Sequence, residues 1–210
     1  MSRLGPLVLV LLLVLLLGCF PKEPGKHLEH FATAAPQASE PAPDFELRDL
    51  DGEIVRLSDR LGDRPVVLHL GSHSCPVYRY RNKHYMESLW QGYEGRADFY
   101  VIYTREAHPV GSPSPFTGEE WDTIFNRATG VRVRDATTYD ERRAQAQDSR
   151  DRLDLPVPVL VDSIDNTVWH TYGEAASPAF VIDTEGKIAD AMPWVDPARI
   201  REALDRLLER

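Results

Sequence analysis

Gly71-Ser72-His73-Ser74-Cys75-Pro76 decides how this 210-residue chain folds. It follows Pro65-Val66-Val67-Leu68-His69-Leu70, a short apolar run bounded by turn formers, which reads as a buried strand. It precedes a stretch in which Val77, Tyr80, Arg81, His84, Tyr85 and Leu89 recur at helical spacing. That stretch reads as a helix opened by Pro76, whose missing N–H costs nothing at a first helical position. Gly71 and Ser72 let the chain turn sharply between the two elements. Cys75 therefore falls where unsatisfied backbone N–H groups and the positive end of the helix dipole converge. Both favour thiolate over thiol, so the sequence predicts a lowered pKa and a reactive sulfur.

Working outward, Phe45, Leu47 and Leu50, then Ile54, Val55 and Leu57, flank Asp51-Gly52 and predict a hairpin. Asp98 to Thr104 predicts a second buried strand, and Val157 to Val161 a third of the parallel kind. Helices are expected over Thr138 to Leu153 and Asn166 to Tyr172. Ala179 to Ile182 and Lys187 to Ala191 form a closing hairpin, and Asp196-Pro197 starts a final helix through Leu208. Between Ala107 and about Ala136 runs a loop long enough to suggest a functional role. Strands alternating with helices, then a hairpin and a helix, predict an α/β domain with the thioredoxin-like fold. Its central mixed sheet is flanked by helices and carries an N-terminal β-hairpin extension.

The N-terminus reads as a separate element. Arg3 is followed by nearly unbroken leucine and valine from Leu4 to Leu17, then Gly18-Cys19 and a polar, proline-rich stretch. This is the layout of a secretory signal, and Leu-Leu-Gly-Cys resembles the lipobox of bacterial lipoproteins. The expectation is a signal peptide over 1–18, lipidation of Cys19, and an exported cell-envelope lipoprotein anchored on the periplasmic side or outer surface. The alternative is an uncleaved anchor, since the apolar stretch is only slightly short of a span. Residues 19–43 read as a flexible Pro/Ala-rich tether of roughly 25–30 Å coil span, with His27 and His30 solvated. The folded domain is expected over 44–210. Net charge is −9, with no basic cluster, which argues against a nucleic-acid partner.

There are two cysteines, and if Cys19 carries lipid only Cys75 remains as a thiol. The second member of a Cys-x-x-Cys pair would fall at Tyr78 or Ser72, so no internal disulfide can close and an outside thiol must reset the sulfur. Strand, small-residue turn, Cys-Pro and helix together resemble the thioredoxin site. Peroxiredoxin-type sites carry proline and threonine upstream of their cysteine, where Leu68 and Ser72 stand here. Tyr103-Thr104-Arg105-Glu106-Ala107-His108-Pro109 follows a strand expected beside the Cys75 strand. Parallel strands present their C-terminal ends on one edge, so His108 and Glu106 should approach Cys75. A histidine there could pair with the thiolate or deliver a proton. His69, His73 and Cys75 raise a metal reading, but thioredoxin-like copper carriers use a cysteine pair. No metal or other cofactor is expected, and His69 is read as a satisfied core histidine facing the opposite side.

Gly-Ser-x-x-Cys-Pro, Glu-Ala-His-Pro at 106–109, and Leu-Pro-Val-Pro-Val-Leu-Val-Asp-Ser-Ile-Asp-Asn…Tyr-Gly over 155–173 together resemble the iodothyronine deiodinase family. The resemblance covers most of 65–187. It implies that Cys75 stands at the family's selenocysteine or cysteine nucleophile and that His108 inherits a substrate-contacting, proton-relay role. Asp162, Asp165, Asn166 and Tyr172 match a third motif, read as capping a short helix near the site. The chain departs where the family carries Pro-x-Arg-Leu, having Ala176-Ser177-Pro178-Ala179, and so loses the arginine expected near the substrate. Ser177-Pro178 instead resembles the cis-proline that faces the cysteine in thioredoxins. The family's Gly-Pro-rich segment is reduced to Ala191-Met192-Pro193-Trp194. These departures argue against iodothyronine itself as substrate.

The sequence thus predicts a single-cysteine thiol redox enzyme that reduces a small-molecule substrate, with reductive dehalogenation as the reaction the resemblance implies. Cys75 attacks, His108 handles a proton, and Glu106 orients the histidine. Ser72, Ser74, Pro76, Ser177 and Pro178 shape the site, and a small thiol or thioredoxin-like protein is the reductant. A one-cysteine thiol peroxidase and a non-catalytic binding module of the same fold are the alternatives.

Overall fold

In the computed structural model, residues 24–209 are described; the expected signal peptide and Cys19 lie outside them. The run that opens the sequence reading is strand β3 (Val66–Gly71), buried along its whole length. It lies between β4 (Asp98–Tyr103), which it pairs in parallel, and β6 (Ala179–Ile182), which it pairs antiparallel. The remaining strands are β1 (Glu46–Asp49), β2 (Ile54–Arg56), β5 (Val159–Val161) and β7 (Ile188–Met192), and the sheet order is β2-β1-β5-β4-β3-β6-β7. β4 and β5 are parallel, while the β1-β2 hairpin adds to the β5 edge antiparallel. This is the expected thioredoxin-like α/β fold with its N-terminal hairpin.

Alternation along the strands splits the core in two. Val66, Leu68 and Leu70 face one cluster with Phe31, Leu47, Val168, Tyr172 and Phe180. Val67, Val101, Tyr103 and Val181 face the other, which also holds Cys75, Leu89, Ala146 and Leu204. Helix α2 (Pro76–Arg81) begins at Pro76 as expected and runs through a π-helical turn, Asn82–Met86, into α3 (Glu87–Tyr93). Gly71 is required by close approach, because a Cβ there would lie 2.4 Å from Tyr78 Cδ2. The strand end and the first turn of α2 are thereby pressed together.

Two expectations need correction. The long loop between β4 and the next major helix carries α4 (Ile124–Thr129), capped by Thr123 Oγ1 accepting from Asn126 N at 3.1 Å. The flexible tether expected over 19–43 fails across its described part. Pro24–Ala34 is a helix, α1, and Phe31 is buried with its ring 5.8 Å from Phe180. Pro24 sits where a helix tolerates proline, and Pro36 follows its end, so the proline spacing leaves room for three turns. Beyond it, Ser39 N and Ala42 N donate to the carbonyls of Ile188 and Gly186, each at 2.8 Å. His30 Nε2 stands 3.3 Å from Glu174 rather than being merely solvated.

Helix α5 (Tyr139–Leu153) opens with the reciprocal Thr138–Glu141 capping pair, and α6 (Thr167–Thr171) follows β5. The final helix α7 (Pro197–Leu208) is capped by the Asp196 carboxylate, which accepts from Ala198 N and Arg199 N. Phe31→Ala should lower stability by about 3 kcal/mol, seen as a fall in the urea midpoint. A loose tether there would leave stability within about 0.5 kcal/mol of wild type.

Candidate active site

Cys75 is the N-cap residue of α2, with extended backbone (φ −77°, ψ 117°). Its N–H donates to the Ser72 carbonyl at 3.1 Å, and its own carbonyl accepts from Arg79 N at 3.1 Å. The Cys75 side chain makes no capping hydrogen bond, but the backbone N–H groups of Tyr78 and Val77 lie on the side that favours a thiolate. The expected lowered pKa is nonetheless overturned. The residue is only 1% exposed, and burial pushes the thiol up to about 11; the two N–H donors and the Arg79 charge pull against this, while Glu106 adds to it. Desolvation outweighs helix polarity here because the sulfur has no water to fall back on.

Two serines tie the cysteine loop to the loop after β4. Ser72 Oγ accepts from Ala107 N at 3.1 Å, and Ser74 Oγ accepts from His108 N at 2.9 Å. Ser74 N donates to Glu106 Oε2 at 2.8 Å, and Tyr103 OH donates to the other carboxylate oxygen. The Glu106 carboxylate and the His108 backbone are thus both bonded to Ser74, the residue before Cys75. The assigned role of Glu106 is corrected, however, since its carboxylate holds Ser74 and Tyr103 rather than the histidine. Burial raises its pKa, against the bonds from Ser74 and Tyr103.

His108 is 5% exposed and packs edge-on against Trp121 at 4.3 Å between ring centroids. Its Nδ1 has no partner. Burial brings its pKa down to about 4, opposed by the Trp121 carbonyl and assisted by Arg79. It is therefore a neutral imidazole at pH 7, not the cation expected to pair with a thiolate.

His69 is corrected in orientation. It lies on the Cys75 side of the sheet, 5.3 Å from the Tyr78 ring, with Nε2 2.9 Å from Ser177 Oγ and a pKa brought down to about 3 by burial. His73 Nδ1 bonds Ser149 Oγ at 3.0 Å, and burial brings its pKa to about 4. With these partners, no three metal-binding side chains share a centre among the described residues. The described residues contain no cis peptide bond, so Ser177-Pro178 is trans; Pro178 O accepts from Leu70 N at 3.0 Å and continues the sheet instead. Asp162 caps α6 as expected, accepting from Val168 N and Trp169 N at 3.0 Å each.

Sequence reasoning missed Asn126, Arg79, Tyr103 and Ser149. Asn126 Nδ2 donates to the Ser74 carbonyl at 2.9 Å, and its Oδ1 accepts from Arg79 Nη2 at 2.8 Å. Arg79 Nη1 donates to the His73 carbonyl. Position 79 is one turn beyond Cys75, so helical spacing alone could have flagged Arg79; nothing local marks Asn126. Ala107 lies in the cluster that holds Cys75, Phe116 packs against that cluster, and His108 and Asn126 both bond Ser74, so segment 107–129 is fastened to the cysteine loop.

The family model of iodothyronine deiodinase matches residues 26–206. The chain is similar to thyroxine 5-deiodinase of Gallus gallus, 26% identical over 195 residues that cover 84% of this chain and 68% of that protein. It is also similar to type I iodothyronine deiodinase of Xenopus laevis, 28% identical over 70% of this chain, which spans 53% of that protein. Among solved structures it resembles the thioredoxin domain of a thiol-disulfide oxidoreductase from Bacteroides vulgatus, with a TM-score of 0.57 and 12% identity, covering 83% of this chain and 99% of that one. That last likeness concerns the fold alone.

A pH dependence follows from the three buried imidazoles. Unfolded, each protonates near 6.5; folded, they stay neutral down to about 3 or 4. The unfolded state then binds more protons, so stability should fall as pH drops from 6.5 towards 4, by up to about 1.4 kcal/mol per pH unit for each histidine. Urea melts over that range should show the slope, and His69→Gln should flatten it. An unchanged slope would mean that His69 is not held neutral.

Proposed function

The chain belongs to the iodothyronine deiodinase family, and we propose that this redox protein is a single-cysteine, thiol-dependent reductase that removes halogen from a small aromatic substrate. The observation that carries the reading is Cys75 standing as the N-cap residue at the mouth of α2, with the His108 backbone fastened to the same loop. In the closed structure the thiol is protonated, so the reaction starts with displacement of residues 110–129 from over Cys75, while His108 stays bonded to Ser74.

The chemistry then balances as follows. The Cys75 thiol gives its proton to His108 and its sulfur attacks the halogen. The carbon–halogen bond breaks with its electron pair left on carbon, and His108 returns the proton to that carbon. The products are the dehalogenated arene and a sulfenyl halide on Cys75. A small thiol attacks that sulfur, expels halide with a proton, and leaves a mixed disulfide. A second thiol releases Cys75 as thiol and departs as the oxidised disulfide. A thioredoxin-like protein can stand in for the small thiols.

Burial of Cys75 is the observation that favours the rival reading, a non-catalytic module of the same fold. The two separate on turnover of iodinated phenols with dithiothreitol, measured as iodide release. Cys75→Ser should abolish release and His108→Ala should slow it about 100-fold or more. Equal release by wild type and Cys75→Ser would sink the enzymatic reading. Peroxide consumption without iodide release would transfer Cys75 to a thiol peroxidase.

The N-terminal sequence supports the remaining part of the proposal, an exported lipoprotein held at a membrane through Cys19. Cys19→Ala should move the protein from the membrane fraction to the soluble one, read by fractionation and immunoblot. Retention in the membrane would instead favour an uncleaved anchor.

A further inference from the structure

Besides the two backbone N–H groups, the charged or titratable neighbours that bear on the Cys75 sulfur are Tyr78 and Arg79, from its own helix, and Glu106, from the loop after β4. Arg79 supplies the positive charge, and the same charge reaches His73 and His108, both neutral. Its guanidinium is also a clamp. One nitrogen donates to the His73 carbonyl in the cysteine loop, and the other donates to Asn126 Oδ1 at 2.8 Å in α4. The Asn126 amide is engaged on its other side too, donating to the Ser74 carbonyl at 2.9 Å. Asn126 is 1% exposed although α4 presents Phe125 to solvent at 41%. Ala107 and His108 hold the start of the segment to the cysteine loop, and its α4 end is fixed there through the Asn126 amide, directly and by way of Arg79.

We infer that Arg79 serves two states of the site: closed, it fastens the chain beyond His108, residues 110–129, across Cys75, and open, it is the cation that holds the Cys75 thiolate. Arg79 and Cys75 share one turn of helix, so when the cover leaves with Asn126 the guanidinium stays beside the sulfur. Water then enters, desolvation falls away, and the helix N–H groups and Arg79 are left to act on the sulfur. The guanidinium occupies the electrostatic role for which the segment Ala176-Ser177-Pro178-Ala179 offers no arginine. This rests on Cys75 being the nucleophile, and it makes Arg79 a positioning residue for the thiolate.

The test is alkylation of Cys75 by iodoacetamide in the full chain as a function of pH, followed on the Cys75 peptide by mass spectrometry below the urea onset of each variant. Asn126→Ala unlatches the cover and should speed alkylation at pH 7 about tenfold, the loss of roughly one buried hydrogen-bond pair. In that background Arg79→Gln should slow it again about tenfold and raise the pH midpoint by about one unit. Arg79→Lys in the same background should keep the midpoint, because it keeps the charge. Alkylation of Asn126→Ala no faster than wild type would show that the cover is not held there. An unmoved midpoint in Arg79→Gln would show that Arg79 is not the thiolate's partner. Neither readout needs turnover: absent iodide release with these shifts intact defeats the proposed reaction and leaves the two-state site standing.

Discussion

The Cys75 sulfur is held between two opposed forces, and the architecture around it exists in the form that their balance requires. The N–H groups of Val77 and Tyr78 stabilise negative charge on sulfur, yet removal from water raises the thiol from its ordinary value to about 11. That difference corresponds to about 3 kcal/mol against ionisation. At pH 7 only about one molecule in 10⁴ carries the thiolate while the site stays closed. The closeness that produces this begins at Gly71, where the lack of a side chain lets the Tyr78 ring lie against the strand end. Any residue with a Cβ there would force the Tyr78 ring to shift.

The spacing of small polar residues around Cys75 has a structural reason. Ser72 and Ser74 each receive a backbone N–H from the loop after β4, from Ala107 and His108 in turn. Alternate positions on one loop therefore grip neighbouring positions on the other. The Ser74 N–H closes the set on the Glu106 carboxylate, which Tyr103 OH also approaches. The carboxylate is buried and its pKa raised, so what holds it in place is this pair of donors. Buried polar groups that are fully bonded in this way fix one arrangement. The arrangement delivers His108 to the cysteine loop by its backbone and leaves the Nδ1 of its ring without a partner.

Much of this was legible in the sequence because it is local. The β3 run, the Pro76 start, the capping Thr138 and Asp196, and the closing hairpin each follow from a few adjacent residues. Helix α1 was hidden because its stability comes from Phe31 meeting Phe180, far along the chain. Prolines counted as composition argued for a tether, whereas prolines placed one by one, at 24 and 36, bracket a helix. Site membership was legible from topology, since parallel β3 and β4 put Cys75 and His108 on one sheet edge. The protonation states were not, because helix-mouth chemistry gives the sign of one influence and says nothing of how deeply the fold buries the sulfur. Asn126 stands for the rest: an ordinary loop residue in sequence, it is fastened at both ends of its amide in three dimensions.

A lone thiol without a resolving cysteine has no internal route back from sulfenic acid, and further oxidation of it is irreversible. Reactivity follows thiolate character and exposure together, so a site that suppresses both while closed protects the Cys75 sulfur. The neighbouring imidazoles suit that state: His69, His73 and His108 are all neutral, and none presents a cation that would stabilise the Cys75 thiolate. The charges that remain near the sulfur, Glu106 and Arg79, act on it in opposite directions. One is fixed by Ser74 and Tyr103, while the other is bonded to a segment able to leave. Displacing that segment therefore does more than uncover the sulfur, because it lowers the desolvation that opposes ionisation while Arg79 stays in place on α2. In such a site, access and nucleophilicity rise together.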